Sequence, residues 1–237
     1  MTSEKRMRIE AKAYPLTPKG YDEIEAWLEA EEKHIQEGAP PPDPLPILQG
    51  WPHDPAKLSG DCIGLLIRYG DGPNADLPGQ SARLFDPAIV AFMRIALAFR
   101  GSMSHEKVRE KKDAEGVAIE ERGQYYPKMQ LGRPGAYTNM KVGRVVLDTP
   151  GNRHARMGAA GHYDFRRRNL RTGTKARPEY KPGEQGRNVA LRAALRGYDY
   201  HHQKHKPLVS RERYERLMRL ALRLADEREA LRSNTLV

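Results

Sequence analysis

The sequence of 237 residues predicts an α+β fold that is mainly α with a few short strands and that ends in a pair of helices. Three observations predict this fold. Several segments repeat apolar residues at helical spacing and begin with a residue that can cap a helix. Other apolar runs are short and bounded by turn residues, as short strands are. The 21 glycines and 18 prolines exceed the usual share, which indicates extensive loops.

The N-terminal segment, residues 1–37, predicts a short strand followed by a helix. The strand covers Met7–Tyr14, where polar and apolar residues alternate loosely. The helix is expected to begin after Thr17, because Thr17 can accept hydrogen bonds from the first turn and Pro18 suits the first position. It runs to about Gln36. Its apolar stripe is expected to face the core.

Residues 38–61 predict a Pro-rich linker. Gly38 can end the preceding helix, and the prolines that follow favour extended polyproline II structure. Trp51 is expected to dock this linker onto the body of the protein.

Residues 62–115 predict an apolar core region. A short buried strand is expected at Ile63–Tyr69. Asp86 caps a helix over 87–100 that is apolar nearly all round, which makes it the best candidate for the central core helix. A charged helix over 105–114 would complete a helix-turn-helix arrangement, a common way to bind DNA.

The following segment, residues 116–186, predicts a loop-rich basic region. Only 117–119 and 142–147 have the composition of short strands. So long a stretch with little regular pattern is either an extended arm that a partner orders or a small, loop-rich sheet.

The last segment, residues 187–237, predicts a helical pair. The first helix covers Asn188–Gly197. The second is long, begins after a cap at Ser210 and ends near Arg232. Its apolar side predicts packing within the chain, or a protein partner or homodimer through 210–232.

Positive charge is concentrated in one quarter of the chain. Residues 1–150 carry 20 Lys and Arg against 22 Asp and Glu, whereas residues 151–209 carry 14 against 4, in a chain of net charge +10. Such a block repels itself unless an anion neutralises it, and phosphate backbones do so with release of counterions. Nucleic acid, DNA or RNA, is therefore the expected partner. An acidic protein partner and a merely solvated basic surface are the alternatives.

The expected contacts lie in and around the run 162–181, where arginines are interleaved with aromatic residues. Arginine can form bidentate hydrogen bonds with phosphate, and aromatic rings can stack on unpaired bases. The candidate nucleic-acid-binding residues are Arg153, Arg156, Tyr163, Phe165, Arg166, Arg167, Arg168, Asn169, Arg171, Lys175, Arg177, Tyr180, Lys181 and Arg187.

A histidine pair supplies the weak candidates for metal ligands. His201 and His205 would share one face of a helix, as metal ligands four residues apart do. The glutamate of the zinc-protease pattern is missing, and Lys204 lies beside the pair. We therefore predict no metal, no cofactor and no catalytic residue. A small metal-dependent nuclease that uses these histidines is the enzymatic alternative.

The single cysteine, Cys62, and the lack of a signal-like or membrane-spanning apolar run predict a cytoplasmic chain, or one within a nucleoprotein particle, with no membrane partner. The sequence as a whole predicts a non-enzymatic accessory or architectural protein that contacts the backbone of nucleic acid. The main alternative is a structural assembly protein of a virus particle or large complex, with an extended basic arm.

Overall fold

The computed structural model describes residues 9–10, 16–43, 45–48, 50–66, 82–99, 101–107, 125–150, 153, 155–157, 164–173 and 185–235. Within these residues the chain has five α-helices and nine short strands, and all strand pairs in its three sheets are antiparallel. The predicted α+β fold is confirmed.

The helices and strands have the following bounds. The helices are α1 (Pro18–Glu37), α2 (Pro87–Ala96), α3 (Val142–Val146), α4 (Gly186–His202) and α5 (Arg211–Thr235). The strands are β1 (Ile9–Glu10), β2 (His53–Leu58), β3 (Ile63–Leu65), β4 (Arg83–Phe85), β5 (Ser102–Lys107), β6 (Tyr125–Arg133), β7 (Ala136–Lys141), β8 (Ala155–Met157) and β9 (Leu170–Thr172). Short 3-10 helices cover Leu45–Leu48 and Arg167–Asn169.

The strands form one sheet of four, one of three and one of two. Their orders are β1-β5-β6-β7, β2-β3-β4 and β8-β9. In the largest sheet Met103, Met129 and Met140 lie opposite one another in register and are buried. Because side chains alternate across a strand, these methionines define the inner face of that sheet.

The core is centred on α2, all ten of whose residues are buried. Helix α5 lies along α2 and also contacts α1 and α4. Its Tyr214 is fully buried and donates its hydroxyl to the carbonyl of Ile95 at 3.2 Å. Helix α4 lies against β6, where a Cβ at Gly197 would be 3.0 Å from the carbonyl oxygens of Gly132 and Phe99. Glycine at this position lets the helix approach the sheet closely.

The predicted caps are confirmed. Thr17 accepts a hydrogen bond from the amide of Gly20 at 3.1 Å, and Gly38 ends α1 in the left-handed conformation with φ 71°. Asp86 accepts from the amide of Ala88 at 2.9 Å at the start of α2. Ser210 accepts from the amide of Arg213 at 3.1 Å at the start of α5. These short-range signals placed the ends of three helices correctly.

The predicted helix over 105–114 is wrong where the structure describes it. Residues up to Lys107 continue strand β5, which pairs with β6 from Ser102 to Lys107. Pairing of Met103 with Met129 in the core outweighs the helix propensity of the charged residues that follow. The helix-turn-helix interpretation therefore fails, since its second helix begins as a strand.

The region from 116 to 186 holds two further differences. The predicted strand over 142–147 is helix α3, because a short apolar run fits either structure and tertiary packing decides. Residues 125–141, expected to be loop, form the β6–β7 hairpin. The strand predicted over 117–119 lies outside the described residues.

The Pro-rich segment is integrated into the fold. Its Trp51 is only 2% exposed, as predicted, and β2 lies within this segment and pairs with β3. Of the strands predicted at Met7–Tyr14 and Ile63–Tyr69, the described parts are β1 and β3.

Candidate nucleic-acid interface

The β8–β9 ribbon presents two arginines of the basic stretch side by side. Arg156 and Arg171 lie directly opposite each other in register, and both are exposed. The alternate residues face α3, where a Cβ at Gly143 would lie 3.0 Å from that of Ala155 and 3.7 Å from a methyl of Leu170. One face of the ribbon therefore packs on α3, and the other face carries the arginine pair.

The charge of this pair is not balanced locally. Within the described ranges, neither Arg156 nor Arg171 has an Asp or Glu partner, and Arg153, just before β8, is also exposed. Burial lowers the pKa of Arg144 on α3, and its Nε has no hydrogen-bond acceptor in the described structure. Like charges directly opposite in a sheet destabilise it. A bound anion would remove this cost.

The neighbouring arginines are already paired within the chain. Arg166 donates two hydrogen bonds to Asp164, at 2.9 and 2.7 Å, and these hydrogen bonds raise the pKa of Arg166. Arg167 forms an ion pair with Asp226 of α5. Arg168 lies 3.6 Å from Asp61, and both side chains are largely exposed. The arginine run at the centre of the predicted site thus ties its loop to the rest of the fold.

Arg187 also has a structural role. Its guanidinium donates to the carbonyls of Val145 and Val146, at 2.9 and 3.1 Å, and to Asp226 at 2.8 Å. Its amide donates to Asp148 at 2.9 Å. These contacts join α3, α4 and α5, so this arginine is held away from an exposed binding surface.

Two other candidates are buried. Phe165 is 1% exposed and stacks on Phe85 with ring centroids 5.6 Å apart, so its ring is covered. Asn169 is 3% exposed and donates to the carbonyl of Asp164 at 2.9 Å. The remaining candidates lie outside the described residues: Tyr163, Lys175, Arg177, Tyr180 and Lys181.

His201 lies in the last turn of α4, which ends at His202, and His205 follows the helix, so the two histidines do not share a helical face. The ring centroids of His201 and His205 are 4.6 Å apart, and both His201 and His202 pack near the ring of Phe99. Among the described residues, no group of three or more His, Cys, Asp or Glu could hold a metal ion. The rings therefore extend an aromatic cluster around Phe99.

The outer face of the β6–β7 hairpin was missed in the sequence. It carries Lys128, Gln130, Tyr137, Asn139 and Lys141. The sequence signal for this hairpin is the Pro134–Gly135 turn between two runs in which polar and apolar residues alternate. Gly and Pro are frequent throughout this region, so that signal did not stand out.

The chain matches no protein-family model, no curated protein and no solved structure. No helix in the described part of the chain is both long and apolar enough to cross a membrane.

Proposed function

We propose that this protein binds nucleic acid through its phosphate backbone, with the arginine pair on the β8–β9 ribbon as the central contact and no catalytic step. The observation that supports this proposal is the exposed, cross-strand position of Arg156 and Arg171 without a carboxylate partner in the described structure. Two guanidinium groups on one face can each form bidentate hydrogen bonds with phosphate oxygens.

The distribution of ion pairs distinguishes this surface from the other arginine-rich surface. On α5, Arg213 contacts Asp22 and Glu25 of α1, and Arg223 contacts Glu32 of the same helix. The arginines of α5 are thus largely neutralised within the fold. The ribbon belongs to the stretch 151–209, where Lys and Arg outnumber Asp and Glu by 14 to 4. Unbalanced charge is what attracts a polyanion.

The test is nucleic-acid binding by fluorescence anisotropy across a salt series, with wild type and the double variant Arg156→Ala/Arg171→Ala. The slope of log affinity against log salt is negative, and each lost phosphate contact makes it shallower by about 0.7 to 0.9. We expect the slope of the double variant to be shallower by roughly 1.4 to 1.8 and its binding to be weaker at every salt concentration.

The matched control is Arg211→Ala/Arg219→Ala, which removes the same charge from exposed arginines. Arg211 pairs with Asp199 at 3.0 Å, and Arg219 pairs with Glu215 at 2.6 Å. We expect this control to retain the wild-type slope. If the salt dependence became shallower by the same amount in both double variants, the effect would come from net charge and not from the ribbon. No binding by wild type at low salt would overturn the proposal and favour a structural assembly protein.

A further inference from the structure

The outer face of the β6–β7 hairpin is polar and basic. Lys128 lies opposite Lys141 in the register, and Gln130 lies opposite Asn139. Residues 125–141 include three cations, Lys128, Arg133 and Lys141, and no Asp or Glu. The hairpin therefore presents a second pair of like charges across adjacent strands, in addition to the arginine pair of the ribbon.

An aromatic ring lies beyond these polar pairs, toward the hairpin turn. Tyr137 is 42% exposed, although large hydrophobic side chains are usually covered, and its cross-strand partner is Gly132. Gly132 has φ 112°, and a Cβ there would lie 2.7 Å from the carbonyl oxygen of Ala136. The turn thus requires glycine opposite the tyrosine, and glycine leaves the ring without a cross-strand side chain against it.

These side-chain types match the chemistry of unpaired bases. Side-chain amides such as those of Gln130 and Asn139 can both donate to and accept from base edges. An exposed aromatic ring can stack on any base, and lysines contact the phosphates between bases. Bases within a duplex are already stacked and paired, so a sheet face with these side chains favours a single strand.

The hairpin and the ribbon are neighbours. Helix α3 begins directly after Lys141, and its Gly143 packs against Ala155, the residue before Arg156. Helix α3 therefore connects the ribbon that carries the arginine pair to the strand that carries Lys141 and Tyr137.

We propose that the outer face of the β6–β7 hairpin binds the bases of single-stranded nucleic acid, with Tyr137 as the stacking residue and Gln130 and Asn139 as hydrogen-bonding residues. This inference rests on the proposed function, since the ribbon supplies the phosphate contacts. It adds a preference for single strands over duplexes, which the arginine pair alone does not provide.

The test compares Tyr137→Ala with wild type in anisotropy titrations of one mixed-sequence DNA oligonucleotide, single-stranded and annealed to its complement. We expect Tyr137→Ala to weaken single-strand binding about tenfold, as loss of one stacked base does. Duplex affinity and the salt slope should not change, because no charge is removed. Gln130→Ala/Asn139→Ala should lower single-strand affinity in the same selective way.

Two controls separate stacking from structural damage. Tyr137→Phe keeps the ring and should bind like wild type. Leu208→Ala removes another exposed large side chain, 47% exposed and outside the hairpin, and should also bind like wild type. Thermal unfolding of each variant establishes that it is folded. Ultraviolet cross-linking of the single strand, followed by peptide mapping, should place an adduct at Tyr137.

The outcomes distinguish this inference from the proposed function. If Arg156→Ala/Arg171→Ala loses binding while Tyr137→Ala equals wild type, or weakens both forms of DNA equally, the base-binding face is wrong and the phosphate-binding ribbon stands. If wild type prefers the duplex, the inference is likewise overturned. If wild type binds neither form but binds polyglutamate, both fail, and the partner is an acidic protein.

Discussion

At the scale of single residues, buried and exposed arginines have different roles. Arg228 is 6% exposed and donates to Glu31, to Asp86 at 3.0 Å and to the carbonyl of Gly60. Burial alone would lower the pKa of Arg228, but the carboxylates of Asp86 and Glu31 outweigh that effect and raise it. Arg156, in contrast, is exposed and has no such partner in the described chain. The first arginine stabilises the fold, and the second is available to a ligand.

The variant Arg228→Ala should therefore destabilise the protein strongly. It leaves Glu31 buried without a compensating charge, whereas Asp86 keeps its ion pair with Arg232 at 2.9 Å. Breaking a buried pair in this way costs about 3–5 kcal/mol. Chemical denaturation measures the free energy of unfolding. The exposed Arg219→Ala should change it by less than about 1 kcal/mol, since exposed ion pairs contribute little. A midpoint of Arg228→Ala close to that of Arg219→Ala would contradict the buried network.

His202 should make stability depend on pH. Burial lowers the pKa of His202, although its contact with the Tyr198 carbonyl and the charge of Asp199 act in the opposite direction; nearby His205 lowers it further. As pH falls, the unfolded chain binds this proton first, at about pH 6.5. Stability is thus full above that pH and is lost as pH falls through the folded pKa.

Thermal unfolding of wild type and His202→Gln over a pH series checks this. We expect the melting temperature of wild type to fall below about pH 6.5 more steeply than that of the variant. Curves that stay parallel over the whole range would show that another group is responsible.

At the scale of elements, a close contact between backbones joins α4 to α3. Gly186 begins α4, and its amide donates to the carbonyl of Thr149 at 3.1 Å. A Cβ at Gly186 would lie 2.5 Å from the carbonyl oxygen of Arg144. The start of α4 thus packs directly against the backbone of α3, in a space that only glycine fits.

Gly186→Ala should destabilise the protein, although alanine is the better helix former by about 1 kcal/mol. The backbone oxygen of Arg144 cannot move freely, and overpacking of this kind typically costs about 1–3 kcal/mol. Urea denaturation measures the change. Gly60→Ala is the control, since the nearest atom to its Cβ is 4.0 Å away on Pro41. A gain in stability at position 186 would refute the close contact.

The helices and strands also show which elements could be predicted from sequence patterns alone. The helix ends at Thr17, Asp86 and Ser210 were predictable because a cap is a contact within a few residues of the chain. Strand β5 was not predictable, since its charged residues favour a helix locally. Its pairing with β6, which includes Met103 with Met129 and lies far along the chain, makes it a strand.

At the scale of the whole molecule, segments that differ in composition share one core. Trp51 of the Pro-rich segment, α2 and α5 all contribute to the same cluster of buried residues. Ion pairs also join segments that lie far apart in the chain. The arginines of α5 contact the acidic face of α1 through pairs such as Arg213 with Asp22 and Arg223 with Glu32. Among the described residues, Arg156 and Arg171 of the ribbon remain without an Asp or Glu partner.

The sequence by itself determined the fold class, the caps of three helices, the central core helix and the stretch that holds the excess positive charge. Each follows from composition or from contacts between near neighbours. The burial of Trp51 was also predictable, because a large indole in a polar segment needs an apolar surface to cover it.

Only the tertiary structure decided which cations are free. Arg166, Arg167 and Arg187 look like binding residues in the sequence, but Asp164 holds the first in an ion pair and Asp226 holds the other two. Asp226 is distant in sequence from both of its partners, so no local pattern could reveal these pairs. The same reason applies to Arg156 and Arg171, which become neighbours only through strand register. Charge can be counted along a sequence, but its compensation depends on distances that only the folded chain defines.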